Sequence, residues 1–391
     1  MKLRLKAVTL SMTTAILVTL LGIAPANAQS APKGGSEIGV EEKPLTAEQV
    51  FKNVQVLRGI PVKEFMETMG FFAASLALTC TDCHGEESAS DWVQYATEPP
   101  LKQTARRMVV MENAINKANF AGTRVTCYTC HRGNLQPEMT PSFAVQYGAP
   151  PPDDPDKVEI GIGGSQNPSA DQILDKYIEA LGGAQQLAKL TSYAAKGTYT
   201  GFDTDFFKVP VEVYAKAPNQ HATVVHLPDG DSTNVYDGHQ AWFSAPAVHT
   251  PVPVLPLTGG DLEGASVDAA LAFPGQLKQA VRKWQVGFPA TTIDDKPVQV
   301  IEGIAAGGSH VKFFFDDQSG LLVREVRYSA TPVGINPTRI EYSDYRVVSG
   351  VKIPFKYTVT WTDGQSTTEL TEVQPNPPVA AARFAKPAPP H

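Results

Sequence analysis

Two pentapeptides constrain this chain more than anything else in it: Cys80-Thr81-Asp82-Cys83-His84 and Cys127-Tyr128-Thr129-Cys130-His131. They use all four cysteines, and a histidine follows each pair directly. With 8 histidines in 391 residues, a histidine at both positions by chance is about a one-in-two-thousand event. C-x-x-C-H is the attachment signature of c-type haem: two thiols add across the porphyrin vinyl groups and the adjacent imidazole ligates the iron. Two disulfides of this spacing would not need the histidines. A structural zinc site on four thiolates has no use for two more ligands beside them. A thioredoxin-type redox motif needs a βαβ context, which this region lacks. The chain therefore reads as carrying two covalent haems c, one on Cys80 and Cys83 and one on Cys127 and Cys130. His84 and His131 are the expected iron ligands.

The amino terminus is consistent with that chemistry, because haem is joined to thiols outside the cytoplasm. Lys2, Arg4 and Lys6 form a charged region, an apolar run extends from Ala7 to Ile23, and Ala26-Asn27-Ala28 is an A-x-A cleavage site. Residues 1–28 read as a signal peptide cleaved after Ala28, which makes the mature protein periplasmic. No cysteine follows the site, so a bacterial lipoprotein anchor is not expected. Removing 28 of the 391 residues leaves 363, a length that suggests two domains. The same cut deletes three positive charges and shifts the formal charge from −7 to −10. That argues against nucleic acid as a partner and suits a basic redox protein. No later segment is long and apolar enough to span a membrane.

Residues 29–45 are rich in Gly, Ser, Pro and Glu and read as a flexible arm. Thr46 with Gln49 has the form of a capping box, predicting a helix through about Leu57 that Gly59 ends. A second helix is predicted from Pro61 to about Leu76, with Phe65, Met66, Met69, Phe72 and Leu76 on one apolar face. It leads into Cys80. After Pro99-Pro100 the plan repeats: a helix from Leu101 to about Asn119, with Met108, Met111, Ile115 and Ala118 on one face, leads to Cys127. Residues 46–133 thus read as a duplicated all-α dihaem unit. Each iron needs a second axial ligand, and His84 and His131 are the only histidines before residue 150. A methionine from each i, i+3 pair, Met66 or Met69 and Met108 or Met111, is the available choice, the other serving as packing. Arg106 and Arg107, and less directly Arg132, are candidates to pair with a haem propionate, since guanidinium matches carboxylate bidentately.

The stretch from Val54 to Gly133 resembles the first half of the cytochrome c subunit of photosynthetic reaction centres. The resemblance lies in Val54-Gln55-Val56-Leu57, Glu64-Phe65 with Thr68-Met69, Ala105-Arg106-Arg107-Met108, Ala114-Ile115-Asn116 and Val125 to Gly133. It implies that the axial methionines are Met69 for the first haem and Met108 for the second. That family carries four haems and a further histidine between the second methionine and the second motif. Here Asn116 to Thr126 contains no histidine, and only two motifs are present.

Residues 134–168 are rich in Pro, Gly, Asp and Ser and read as an extended linker, with Met139 incidental within it. Ser169 with Gln172 opens a helix to Leu181, followed by a short helix over 184–190. From there to the end the pattern has period two. Strands are predicted near 192–200, 207–216, 220–226, 232–237, 240–244, 296–304, 309–316, 321–329, 337–347, 352–362 and 366–374. Asp317-Gln318-Ser319-Gly320 and Ser349-Gly350 read as hairpin turns. A helix is expected over about Val267 to Trp284, with Leu277, Val281 and Trp284 on one face. Residues 169–388 are therefore expected to form an α+β domain around a large curved antiparallel sheet. Its pattern, closing on Asn376 and Phe384, resembles the periplasmic lipoprotein-carrier superfamily (LolA/LppX-like), which implies an apolar ligand such as a lipid or quinone. His221, His226, His239, His249 and His310 have no metal-ligand spacing.

The function these readings imply is electron transfer by two His/Met-ligated haems. Neither iron would have an open position, so the chain is expected to be an electron-transfer protein and not an enzyme. The alternative is a carrier-like binding protein for a lipid or quinone, with the haems sensing redox state. A peroxidase would require one methionine to be displaceable. A redox partner protein is expected in the first case, and the second domain would dock a partner, a membrane surface or an apolar redox molecule.

Overall fold

The computed structural model describes residues 43–89, 91–122, 124–149, 154–160, 168–288 and 291–390. The signal peptide read at residues 1–28 and nearly all of the arm lie outside these.

The amino-terminal part is helical and the carboxy-terminal part is a large antiparallel sheet. Helix α1 is a single turn, Ala47–Val50, capped as expected by Thr46, whose N–H donates to Gln49 Oε1 at 2.8 Å. The expected extension to Leu57 does not form. Phe51 is already extended, and the chain 51–57 lines a cavity instead. Helix α2 spans Val62–Leu76 and ends on Ala77 in the left-handed region at φ 51°. The two attachment motifs are each one short helix, α3 (Cys80–His84) and α5 (Cys127–His131), separated by the long helix α4 (Pro100–Asn119). Helix α6 covers Phe143–Tyr147, in the stretch read as linker, where Met139 is 96% exposed.

Strand β1 (Glu159–Ile160) also lies in that stretch. There Val158 joins an apolar cluster with Val298, Val300, Phe314 and Val326, and Asp156 accepts from Arg324 Nη1 at 2.9 Å. A Pro/Asp-rich segment is thus pinned to the sheet by one apolar residue and one charge. Helix α7 (Ala170–Ala180) opens on the expected box, Ser169 N donating to Gln172 Oε1 at 2.8 Å, and α8 is the short Ala184–Leu187.

The meander follows as β2 (Ser192–Gly201), β3 (Val209–Lys216), β4 (Gln220–Leu227), β5 (Gly230–Tyr236), β6 (Ala241–Ser244) and β7 (Val254–Leu257). Helices α9 (Gly259–Ala272) and α10 (Leu277–Ala280) interrupt it. It resumes as β8 (Val281–Phe288), β9 (Thr291–Ile293), β10 (Lys296–Ala305), β11 (His310–Asp316), β12 (Leu322–Thr331), β13 (Gly334–Val348), β14 (Val351–Trp361) and β15 (Gly364–Pro375). Among the described residues these form one 15-stranded sheet in the order β1-β8-β10-β11-β12-β13-β14-β15-β2-β3-β4-β5-β6-β7, with β9 paired to β10. Helix α9 packs on β12 and also on β4 and β5, which are six and seven places away in that order. Only a curled sheet brings strands so far apart onto one helix.

The main difference from the sequence expectation lies at 267–284. The helix begins eight residues earlier and stops at Ala272, and Val281 and Trp284 stand on strand β8. Val281, Trp284 and Leu277 recur at three- and four-residue intervals. That spacing imitates a helix face, but in β8 it arises from an irregular strand, with Lys283 at φ 57° and a register shift in the facing β10. Gly303 of β10 makes this possible: a Cβ there would lie 2.3 Å from Val281 and 2.9 Å from Trp284. The turn Ser349-Gly350 has both φ values positive, 49° and 82°, as a two-residue hairpin requires.

The core fills the inner face. Phe313 and Phe315 of β11 pack with Leu277, Tyr177 and Leu181 of the covering helices, Phe315 and Tyr177 having ring centroids 5.1 Å apart. Phe313 is fully buried. Replacing it by Ala is expected to cost about 3–5 kcal/mol, read as a lower urea midpoint with unchanged m-value.

Candidate functional site

Each motif is built the same way. A threonine caps a one-turn helix whose first and fourth residues are the cysteines, so both thiols project from one side of the turn. At the first, Thr79 N and Oγ1 both donate to Asp82 Oδ2, at 2.7 and 2.8 Å. At the second, Thr126 N donates to Thr129 Oγ1 at 3.0 Å and Thr126 Oγ1 accepts from Thr129 N at 3.2 Å. The residue that completes the cap lies between the two cysteines in both cases. All four cysteines are free, and burial is the main cause raising the pKa of Cys80, Cys83 and Cys127, the last pushed up to about 12.

The histidines that end the turns are oriented alike. His84 Nδ1 lies 3.3 Å from the carbonyl oxygen of Tyr95, and His131 Nδ1 lies 3.0 Å from that of Asn134. A carbonyl only accepts, so each Nδ1 is the donor in that bond, and Nε2 is the nitrogen available to a metal. Burial and the nearby Lys102 charge lower the pKa of His84, holding it in the neutral form a ligand requires.

A cavity of about 290 Å³ opens beside the first motif. Cys80, Cys83 and His84 line one part of it, and Met66, Met69 and Phe72 of α2 line another. Helix α4 contributes Lys102, Ala105, Arg106 and Val109, which share one face at helical spacing. Trp92 and Tyr95 close the side next to His84, their rings 5.4 Å apart, with Tyr95 4.7 Å from the imidazole. Both methionines of the first pair thus reach the cavity, and the face of α2 read as apolar is the cavity face. The face packed on the sheet is instead small or polar, with Thr68, Gly70 and Ser75 buried beside Phe71.

Met108 does not line this cavity. It is half-buried one turn before Glu112, which is 4% exposed and acts electrostatically on Cys127. Met111 is 47% exposed. Helix α4 thus reaches both motifs: Val109 lines the first cavity and also belongs to the cluster against which Cys127 packs. The two units interlock: α4 packs on α3 and α2 packs on α5, with Gly133 N donating to Ser75 O at 2.9 Å. Asn116 holds the approach to the second motif. Its Oδ1 accepts from Arg124 N and Val125 N, and its Nδ2 donates to Glu112 Oε1 and Val125 O.

The candidate arginines separate. Arg106 is on the first cavity, where it pairs with Glu98 and donates to Asn53 O at 2.9 Å. Arg107 is off that cavity and donates to Thr104 Oγ1 at 2.8 Å. Arg132 is the exposed left-handed residue after α5. Sequence reasoning missed Lys102, whose Nζ donates to the carbonyls of Tyr95 and Thr97 at 2.7 and 2.8 Å. Its only signal was its place one turn before Arg106. Trp92 and Tyr95 carried none, being adjacent to His84 only through the fold.

In the sheet domain His226 pairs with Asp231, His249 with Asp229 and His310 with Glu302, while burial lowers the pKa of His221. Among the described residues no three metal-ligating side chains gather, and no helix is long and apolar enough to cross a membrane.

Residues 15–149 match the family model of the photosynthetic reaction centre cytochrome C subunit. Curated relatives are photosynthetic reaction center cytochrome c subunits. That of Rubrivivax gelatinosus is 41% identical over 97 residues, and that of Thermochromatium tepidum is 40% identical over 98. Each alignment covers 24% of this chain, and the chain spans about a quarter of either relative, 25% and 23%. The sheet domain lies outside the residues that the family model matches. A solved LolA superfamily protein from Nitrosomonas europaea aligns with 56% of this chain and 98% of its own, at 15% identity and a TM-score of 0.39.

Proposed function

We propose that the protein is an exported dihaem c-type cytochrome that passes electrons through two His/Met-ligated irons. The observation that carries this reading is the matched pair of capped C-x-x-C-H turns, each with its imidazole Nδ1 tied to a backbone carbonyl and Nε2 left free. The residues fit haem c: thiols on one side of the turn, an imidazole with Nε2 available, and on the first site a cavity that two thioethers also line. Bound haem c supplies a one-electron iron couple. Cys80 and Cys83, and Cys127 and Cys130, would hold the two groups covalently. His84 and Met69 would be the axial ligands at the first, His131 and Met108 at the second. Arg106 would lie near a propionate, with Lys102 adding positive charge. Phe51, Phe65, Phe72 and Trp92 exclude water from the first site, which lowers the reorganisation that accompanies electron transfer. Relatives named for the photosynthetic reaction centre support a redox protein as partner. We place the mature protein in the periplasm.

A redox titration followed by visible spectra tests this directly. Two covalent haems per chain and a methionine–iron charge-transfer band are expected. Carbon monoxide added to the reduced protein is expected to bind at neither iron. Ready binding at either would mean an open coordination position and would overturn the simple electron-transfer account. The carrier-like alternative predicts instead a stoichiometric lipid or quinone on solvent extraction.

A further inference from the structure

The tip of the β12–β13 hairpin leaves the sheet and enters the helical part. Val333 is fully buried there, in one cluster with Leu57, Phe71 and Val109, against which Met69 and Cys127 pack. The backbone N–H of Cys127 points to the Val333 carbonyl at 3.4 Å. Asn336 Nδ2 donates to the Glu67 carbonyl of α2 at 3.1 Å. The tip is held in shape by Thr331, whose Oγ1 donates to Gly334 O at 3.0 Å and accepts from Val333 N at 3.4 Å. Gly334 is required by the fit, since a Cβ there would lie 2.1 Å from the Phe71 ring.

We propose that this hairpin tip is a positioning element of the second haem site: it wedges the Cys127 turn against the two methionine-bearing helices, so ligation at the second iron depends on the sheet domain. The inference rests on the dihaem reading above. Residues 331–336 lie outside the stretch matched by the reaction-centre family, so the wedge is a contribution of this chain's other domain. None of them lines the first cavity. Leu57, Val109 and Met69 of the Val333 cluster do line it, but the backbone contact of the tip is with Cys127, so the larger effect is expected at the second haem. The sheet domain thereby becomes part of the redox unit.

The test uses the full mature protein. Val333→Gly is expected to keep both haems covalently attached by mass and to lose half of the methionine–iron charge-transfer absorbance. One midpoint potential should fall further than the other. Val333→Ile, which keeps the buried branched side chain, should restore the full band. If Val333→Gly does not yield folded protein, Val333→Ala carries the same selective expectation with a smaller loss. Unchanged band and midpoints in the truncations, or equal displacement of both midpoints, would overturn the proposal. A wild-type protein without the band would instead remove the dihaem His/Met reading itself.

Discussion

Met69→Ala is expected to leave two haems attached, abolish one methionine–iron band and lower one midpoint by on the order of 0.1 V or more. The thioether is a weak donor that favours ferrous iron, so its loss favours the oxidised state. Attachment is untouched because Cys80 and Cys83 belong to a separate turn that Thr79 and Asp82 hold by themselves. The control is Met66→Ala. Both side chains line the same cavity one turn apart, but the family resemblance assigns only Met69 to iron. If Met66→Ala abolishes the band and Met69→Ala does not, the assignment is reversed. Met108→Ala should do the same for the other haem, with Met111→Ala, on an exposed residue, close to silent.

The second large effect is expected at Arg327. Its Nη1 donates to Asp268 Oδ1 and to the Gly264 carbonyl of α9, both at 2.8 Å, and its Nε lies 3.8 Å from Glu325 Oε1. Glu325 is fully buried and bound by the Tyr342 hydroxyl at 3.0 Å, while its Oε1 has no hydrogen bond. Removing the guanidinium leaves Glu325 buried without its cation and Asp268 of α9 unpaired, so Arg327→Ala should cost about 3–5 kcal/mol. Burial raises the pKa of Glu325 above its ordinary value. A carboxyl raised in the folded state contributes stability below its unfolded pKa and loses it as pH rises through the folded one. The deficit of Arg327→Ala should therefore shrink when urea unfolding is repeated at mildly acid pH, where Glu325 is neutral. A deficit of equal size at both pH values would mean that Glu325 does not share in it.

Most strands were legible because they bury one face, so alternation such as that around Phe355, Tyr357 and Val359 survives in the sequence, whereas the short β1, β7 and β9 were not expected. Strand β8 was not, because its irregular twist places Val281 and Trp284 at helical intervals. Helix α1 was overextended because a capping box reports where a helix starts and not how far tertiary contacts let it run. For α2 the pattern identified an apolar face, but that face lines the cavity. The sheet-facing side uses Thr68, Gly70 and Ser75, and nothing in such residues says that they are buried.

What the sequence determined by itself is local. Four cysteines and two histidines in two capped turns define the chemistry, since one helical turn fixes the spacing of the thiols and the place of the imidazole. That α4 lines the first cavity with Lys102, Ala105, Arg106 and Val109 was decided by the tertiary structure. So were the Tyr95 carbonyl beside His84 and the insertion of Val333 beside Cys127. These depend on groups up to about two hundred positions apart meeting in space, and each is held by packing and backbone polarity that many sequences could supply.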